Sequence, residues 1–369
     1  MATYVSFDVS NRGGPGMVFI STKAHSAQDI LCFNVFHLDA GETVKVTSNV
    51  ERLTGLFDSV ARPASPEDTY KGDMRIKRED GGIDYGLVNE DVIPMGYNLL
   101  GIWGNSPNDI YIVGKYGLIL RYDGYSWTKM RSATTEDIEA VWGSSPSNVF
   151  AVGSSGSILH YNGRAWSGMA SGTTNHLLGV WGSSPSDVFA VGSEGAILHY
   201  DGNTWSAMAI GRDPGWFNGV WGSSSYDVFA VVGAIWHYDG NTWSHMANPE
   251  LSPKVGWPDL NGVWGSSSSD VFAGGSGGTI MHYNGNSWSS MMSGTEESLS
   301  AVWGSSSSDV FAVGYHGIIL HYDGNEWRTM TNTEHELEAV WVSSLKDVYV
   351  VGKEIVLHYD GTSWKEISP

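Results

Sequence analysis

The chain has 369 residues, 41% hydrophobic and only 16% charged, with Gly, Ser and Trp filling the difference; the length allows two domains or one large repeat fold, and the composition argues against disorder. Its 40 acidic and 20 basic residues give a net charge of −20, and the sequence displays no basic patch, which disfavours nucleic acid and anionic membrane as partners. The single cysteine, Cys32, excludes an internal disulfide framework and a Cys-based zinc site.

Residues 1–92 contain no tryptophan and no repeat. The stretches TYVSFDV, GMVFIS, ILCFNVFHL, TVKVTS and MRIKRE read as short strands separated by Gly, Asn and Asp turns. The expectation is a small β-sandwich-like domain over 1–92, with a polar loop at 61–73 and Cys32 as a buried, inert thiol. A linker at 93–97 follows. The opening MATYVSFDVSNRGG lacks a charged n-region and a long apolar stretch, so no signal peptide is expected. No apolar run reaches the roughly 18 residues needed to span a bilayer.

From residue 98 to 369 one unit recurs. The tryptophan of [GA]-[VI]-W stands at Trp103, Trp142, Trp181, Trp221, Trp264, Trp303 and Trp341, with spacings of 39, 39, 40, 43, 39 and 38. A second tryptophan follows [DN]-G-x-x at Trp127, Trp166, Trp205, Trp243, Trp288, Trp327 and Trp364. Within a unit, LLGVWG alternates in the period of a strand (Leu177, Gly179 and Trp181 on one face), GSSPSD turns, and DVFAVG makes a second strand. A Gly-rich turn leads to AILHY, and DGNT turns into WSAM. Four strands about every 40 residues fit a propeller blade, so seven units predict an all-β chain whose residues 98–369 form a seven-bladed β-propeller of four-stranded blades. The propeller begins at Leu99 and ends just after Trp364, so closure is expected to rest on packing between the first and last blades; the alternative register lets LVNEDVIP (87–94) complete blade seven.

At VFAVGSEGAILHYDGNTW (188–205) the repeat resembles the kelch-type and Asp-box-type propellers, whose blades also pair a Gly turn with Tyr-Asp and a following Trp. The resemblance covers about 270 residues and implies the fold. The repeat is shorter than kelch, its Gly-Gly is mostly Val-Gly and the Asp-box serine is absent, so the resemblance implies little about activity.

The fourteen repeated tryptophans are expected to fill the space between blades. Six blades carry His before Tyr (His160, His199, His237, His282, His321 and His358), with Arg121 in the first. On third strands around a ring these side chains cannot converge on one ion, so they are expected to hydrogen-bond structurally, and no metal or cofactor is predicted. Each GSSSSD-type turn holds one carboxylate, too few for calcium; Asp187, Asp227, Asp270 and Asp309 are expected to bond the local backbone in Asx-type turns. Three residues before the first tryptophan stand Leu100, Glu139, Leu178, Asn218, Asn261, Ser300 and Glu338. Only Glu139 and Glu338 offer carboxylates there, with blade one between them, and their separation is expected to exceed that of hydrolytic pairs. The five propeller arginines, Arg121, Arg131, Arg164, Arg212 and Arg328, occupy unmatched slots, unlike the clustered Arg of sialidase-type propellers. A glycan-acting hydrolase therefore finds the least support.

Loops of a propeller alternate between its two ends. Here the strand one–two and three–four turns are nearly constant, whereas the two–three turns and the blade connections vary, and variation at one end is where a single specific site is built. The three tryptophans outside the repeat, Trp216, Trp236 and Trp257, all fall around blade four. Trp216 shares the blade three–four connection with Arg212 and Asp213, Trp257 lies in the longest connection (247–262), and blade four's own two–three turn is shortened. These features predict a cleft with Trp216, Trp257, Arg212 and Asp213 as ligand-binding residues, Glu139 and Glu338 near the axial mouth, and Trp236 as core. The resulting expectation is a non-enzymatic, carbohydrate-recognising (lectin-like) propeller whose partner is a glycan or glycoprotein surface. The alternative is a structural subunit of an extracellular filament, appendage or virion-like assembly, self-associating through residues 1–92. The low-charge, Gly/Ser-rich composition reads as extracellular or surface-associated.

Overall fold

In a computed structural model the chain divides into two compact units, Met1–Met95 and Gly96–Pro369. The described residues are 97–211, 215–246 and 259–367, together with the strands of the first unit. Those strands are β1 (Val5–Ser10), β2 (Gly16–Ser21), β3 (Phe33–Leu38), β4 (Thr43–Ser48), β5 (Met74–Lys77) and β6 (Ile83–Tyr85). They form a sheet in the order β1-β4-β5-β6 and a β2-β3 hairpin, all antiparallel. The five stretches that read as strands are present, and β6, three residues long, is the addition. The sandwich-like packing of these sheets, the loop at 61–73 and Cys32 lie outside the described residues.

The second unit is a ring of seven antiparallel four-stranded sheets, each built from one contiguous stretch of chain. Blade three shows the plan: Leu177–Ser184 is innermost, followed outward by Asp187–Gly192, Ile197–Tyr200 and Trp205–Ala207. The second strands (DVFAVG and variants) are buried on both faces, which is why they read as unbroken apolar runs rather than alternating ones. Phe189, on that strand, is 1% exposed and touches rings of the next blade, Tyr238 at 5.9 Å and Trp243 at 6.5 Å. The same aromatic contacts recur between other blade pairs.

Successive inner strands lock through one contact. The tryptophan of each blade lies against the glycine that follows the tryptophan of the next: Trp103 on Gly143, Trp142 on Gly182, Trp181 on Gly222, Trp221 on Gly265 and Trp264 on Gly304. A Cβ at Gly182 would stand 2.6 Å from the Trp142 ring, so the glycine is required by the close approach. Blade seven departs from this rule, with Val342 in the glycine slot. Trp303, packed against the cluster that holds Val342, is only half-buried, while the other six inner tryptophans are buried.

The ring closes without strand exchange. Blade seven has its four strands at Leu337–Ser344, Asp347–Gly352, Ile355–Tyr359 and Trp364–Glu366, while LVNEDVIP (87–94) lies outside the described residues. At the seam Trp341 lies on Gly104, and Tyr349 donates its hydroxyl to the Pro107 carbonyl at 3.1 Å, as Tyr111 does to Pro146 at 3.0 Å between blades one and two. The Trp127 indole donates to the Ile367 carbonyl at 2.8 Å, and the Glu354 amide to Tyr97 at 2.9 Å.

Candidate functional site

The constant end is held by a repeated polar string. In blade three His199 donates Nε2–H to Asp187 Oδ1 at 2.6 Å while Ser183 donates to Oδ2 of the same carboxylate. Asp227 with His237 and Ser223, Asp270 with His282 and Ser266, and Asp309 with His321 and Ser305 repeat it. In blade seven Asp347 holds His358 at 2.8 Å, in blade two Asn148 stands for the aspartate, and in blade one Arg121 stands for the histidine over Asp109. Each imidazole also lies on the second-strand ring of its own blade, 4.3–4.7 Å between centroids.

The histidines therefore bond structurally, as expected, but the reading of Asp187, Asp227, Asp270 and Asp309 is corrected. Their carboxylates accept from side chains, because the imidazole on the adjacent third strand and the serine four residues back both reach them. The Asx turns belong to the other loop, where Asp201 accepts from the Asn203 and Thr204 amides at 2.8 and 2.9 Å ahead of Gly202 at φ +92°. Hydroxyl and imidazole share the carboxylate rather than each other, so the serine is not paired with the histidine.

The variable end carries the strain. Among the two–three turns, five place a residue other than glycine in the left-handed region: Tyr116, Ser155, Glu194, His316 and Glu354, at φ 51–61°. Such a conformation costs on the order of 1 kcal/mol per residue and concentrates at functional positions. The tips show four kinds of side chain to solvent, with glutamate at both Glu194 and Glu354; Tyr116 is 81% exposed. The αL geometry is held by the neighbouring connection, as when the Tyr116 amide donates to Asp137 Oδ1 at 2.8 Å and His316 pairs with Glu297 at 2.6 Å.

Trp216 stands at this end, 52% exposed, five residues before the inner Trp221, the slot that His176 occupies before Trp181 in blade three. The two rings stack at 6.2 Å with an interplanar angle of 21°. The charge of His176 also reaches Glu139, three residues before the inner tryptophan of blade two. Burial pushes the Glu139 carboxyl above the usual carboxylate range; Asp137 and Glu338 add to the shift, and Lys115 and His176 oppose it. Glu338 is raised by burial and by Glu336, again opposed by Lys115. In the slot that Glu139 holds in blade two, Asn218 donates to the Leu260 carbonyl at 2.9 Å and Asn261 to Leu299 at 2.8 Å, stitching inner strands together.

Of the residues singled out from sequence, Trp216 stacks on His176, and Glu139 feels the charges of Glu338, His176 and Lys115; His176 and Lys115 were missed by sequence reasoning. Their signal was weak: the His176 slot holds Asn98, Asp137, Trp216, Asp259, Ser298 and Glu336 in the other blades, while the Lys115 slot holds lysine again at Lys353 and serine at Ser154, Ser193 and Ser276. Arg212, Asp213 and Trp257, and with them the cleft around blade four, lie outside the described residues. Trp236 is core, 4% exposed against Phe217. Among the described residues no group of three His, Cys, Asp or Glu is arranged to hold a metal ion, and no helix is long and apolar enough to cross a membrane.

No protein-family model and no curated relative matches the sequence. Solved structures do match in fold. A structure of YCF48 bound to D1 peptide superposes with a TM-score of 0.59 at 16% identity, covering 72% of this chain and 94% of that one. YCF48 from Cyanidioschyzon merolae gives 0.59 at 16% identity, covering 74% and 98%. At that identity the likeness extends to the propeller fold alone.

Proposed function

We propose that this chain is a non-catalytic binding protein that docks a polypeptide segment on the variable end of its propeller, with Trp216 as the aromatic anchor. The observation that carries the reading is the set of five left-handed, non-glycine turn tips, which hold tyrosine, serine, histidine and two glutamate side chains outward around one end at a conformational cost. The constant end spends its polar groups on one another. A stacked Trp216–His176 pair, with Glu139 feeling the charges of His176, Lys115 and Glu338, offers apolar area and mixed charge together, the composition of a protein-binding hot spot. A propeller of similar fold has been solved with a peptide bound.

Carbohydrate recognition is the second reading, favoured by one observation: the half-exposed Trp216 ring presents a face on which a sugar can stack. The two are separated by panning a random-peptide display library and a glycan array against the intact chain, with the Trp216→Ala, Tyr116→Ala double variant alongside. Peptides retained by the native chain and lost by the variant support the proposal. Glycans retained and lost in the same way transfer the site to the lectin reading. Peptide binding that the variant keeps removes the variable end as the site.

A further inference from the structure

We infer that the groove between the outer strands of blades one and two is a second binding site, built for an extended acidic polypeptide segment that adds as a strand to the outer edge of blade one. The groove holds about 980 Å³ and is lined by residues 128–135 and 164–166, with Trp166 as its buried wall. It gathers Lys129, Arg131 and Arg164, with no acidic residue in the lining. In a chain of net charge −20 this corrects the impression from sequence that no basic patch exists.

Each of the three cations is a departure from the repeat. The slot of Lys129 holds Gly168, Ala207, His245, Ser290, Thr329 and Glu366 in the other blades; the slot of Arg131 holds Ala170, Ala209, Ala247, Met292 and Thr331 in blades two to six; the slot of Arg164 holds Tyr125, Asn203, Asn241, Asn286, Asn325 and Thr362. No lysine or arginine stands in any of those positions. Three unrelated slots change to cations, and the fold brings all three to one groove, because blade one's outgoing strand lies beside blade two's three–four turn.

None of these three makes an ion pair among the described residues. Arg121, Arg328 and Lys365, by contrast, are neutralised by Asp109, Glu326 and Asp360. Unpaired cations grouped in a groove are the complement of a carboxylate-bearing chain.

The backbone favours a peptide over another polyanion. Trp127–Lys129 is the edge strand of its sheet. The Met130 amide donates inward to the Ile119 carbonyl at 2.8 Å, so the amides of Lys129 and Arg131 face away from the sheet, and neither has a partner among the described residues. An edge with free amides at two-residue spacing is a template for strand addition, and the cationic side chains flank it on the same residues.

The test is fluorescence anisotropy of the full chain with fluorescein-labelled decaglutamate. Binding at about 50 mM salt that weakens severalfold at 200 mM, and falls about tenfold in Arg131→Ala, Arg164→Ala, supports the site. Arg328→Ala, which removes a cation already paired, leaves binding unchanged. Fully N-methylated decaglutamate binds at least tenfold more weakly if the edge strand pairs with the ligand backbone. A melting temperature measured for each variant separates lost binding from lost folding, and Arg131→Glu, Arg164→Glu gains affinity for decalysine if the groove is the contact. Decaglutamate that does not bind, or that binds the double-alanine variant as well as the native chain, overturns the inference. A sulfated glycan or single-stranded DNA of equal charge that binds as tightly overturns its assignment to a peptide.

Discussion

The tryptophan–glycine lock between inner strands makes a quantitative demand that Gly182→Ala tests. An alanine Cβ there would lie 2.6 and 2.7 Å from carbons of the Trp142 ring and 2.8 Å from the Asp187 carbonyl, against an ordinary contact of 3.4–4 Å. The ring has to retreat by about 1 Å while the carbonyl, fixed in its strand, cannot yield. Overpacking of this kind costs about 1–3 kcal/mol. Blade seven shows what the retreat looks like, since Val342 fills the slot and Trp303 is half-buried. Wetting roughly 50 Å² of the Trp142 ring in the same way adds about 1 kcal/mol. The expected loss is about 2–4 kcal/mol, or a melting temperature lower by roughly 5–15 °C for a unit of this size. Urea unfolding and thermal circular dichroism of Gly182→Ala, Trp142→Phe and the double variant measure it. The smaller phenyl ring relieves the clash, so the double variant loses less than the sum of the single losses, by about 1 kcal/mol or more. A cost under about 0.5 kcal/mol, or strict additivity, refutes the lock.

Three further outcomes follow from the same geometry. Burial alone would raise the Asp227 carboxyl, but hydrogen bonds from His237 and Ser223 outweigh it and hold it below the usual range; its stabilisation is present above the unfolded value near 4 and is lost as pH falls through the depressed folded value. Asp227→Asn should lower stability at pH 7 and flatten that part of the acid limb in urea titrations, and an unchanged limb contradicts the assignment. Glu139 is raised, so the native state holds its proton above the unfolded value and stability falls as pH climbs through that window; Glu139→Gln should raise the urea midpoint at pH 7 and leave it unchanged near pH 4. Trp127→Phe removes the 2.8 Å indole bond to Ile367 at the seam and should cost about 1–3 kcal/mol, read by thermal melting, whereas no loss means that this bond does not hold the ring closed.

The blade plan was legible because a repeat states its own alignment. Trp181, Gly182, the apolar run after Asp187 and the turn glycine at 202 recur at fixed offsets, so strand order and blade number follow from counting. The partner of Asp187 was legible too, had the offset been read as a pair. Asp and His stand twelve apart in blades three, five and six, ten apart in the trimmed blade four, and where Arg121 replaces His an aspartate is still kept. The local Asx reading failed because the paired third strand brings an imidazole ten to twelve residues away against the carboxylate, and the other oxygen takes a serine hydroxyl rather than a backbone amide. Contacts between blades were beyond the repeat pattern. Lys129, Arg131 and Arg164 look scattered because a period aligns a blade with its copies and not with its neighbour. His176 and Trp216 stack for the same reason, occupying one slot in adjacent blades.

The seam has a consequence for how such a ring can change. Blades seven and one meet through the same tryptophan-on-glycine seat and tyrosine-to-carbonyl bond that join blades already tethered by the chain. Because no strand is shared across it, every blade is a complete cassette of about 40 residues, cut from the gene without leaving an orphan strand anywhere. Duplication, loss or re-ordering of cassettes, or a new start point at any blade connection, leaves each sheet whole. What fixes the number at seven is then the angle set by each aromatic seat, since the turns from blade to blade must sum to one revolution. Altering the seat, as Val342 already does at one joint, is the route by which a chain of this kind would come to close with a different count.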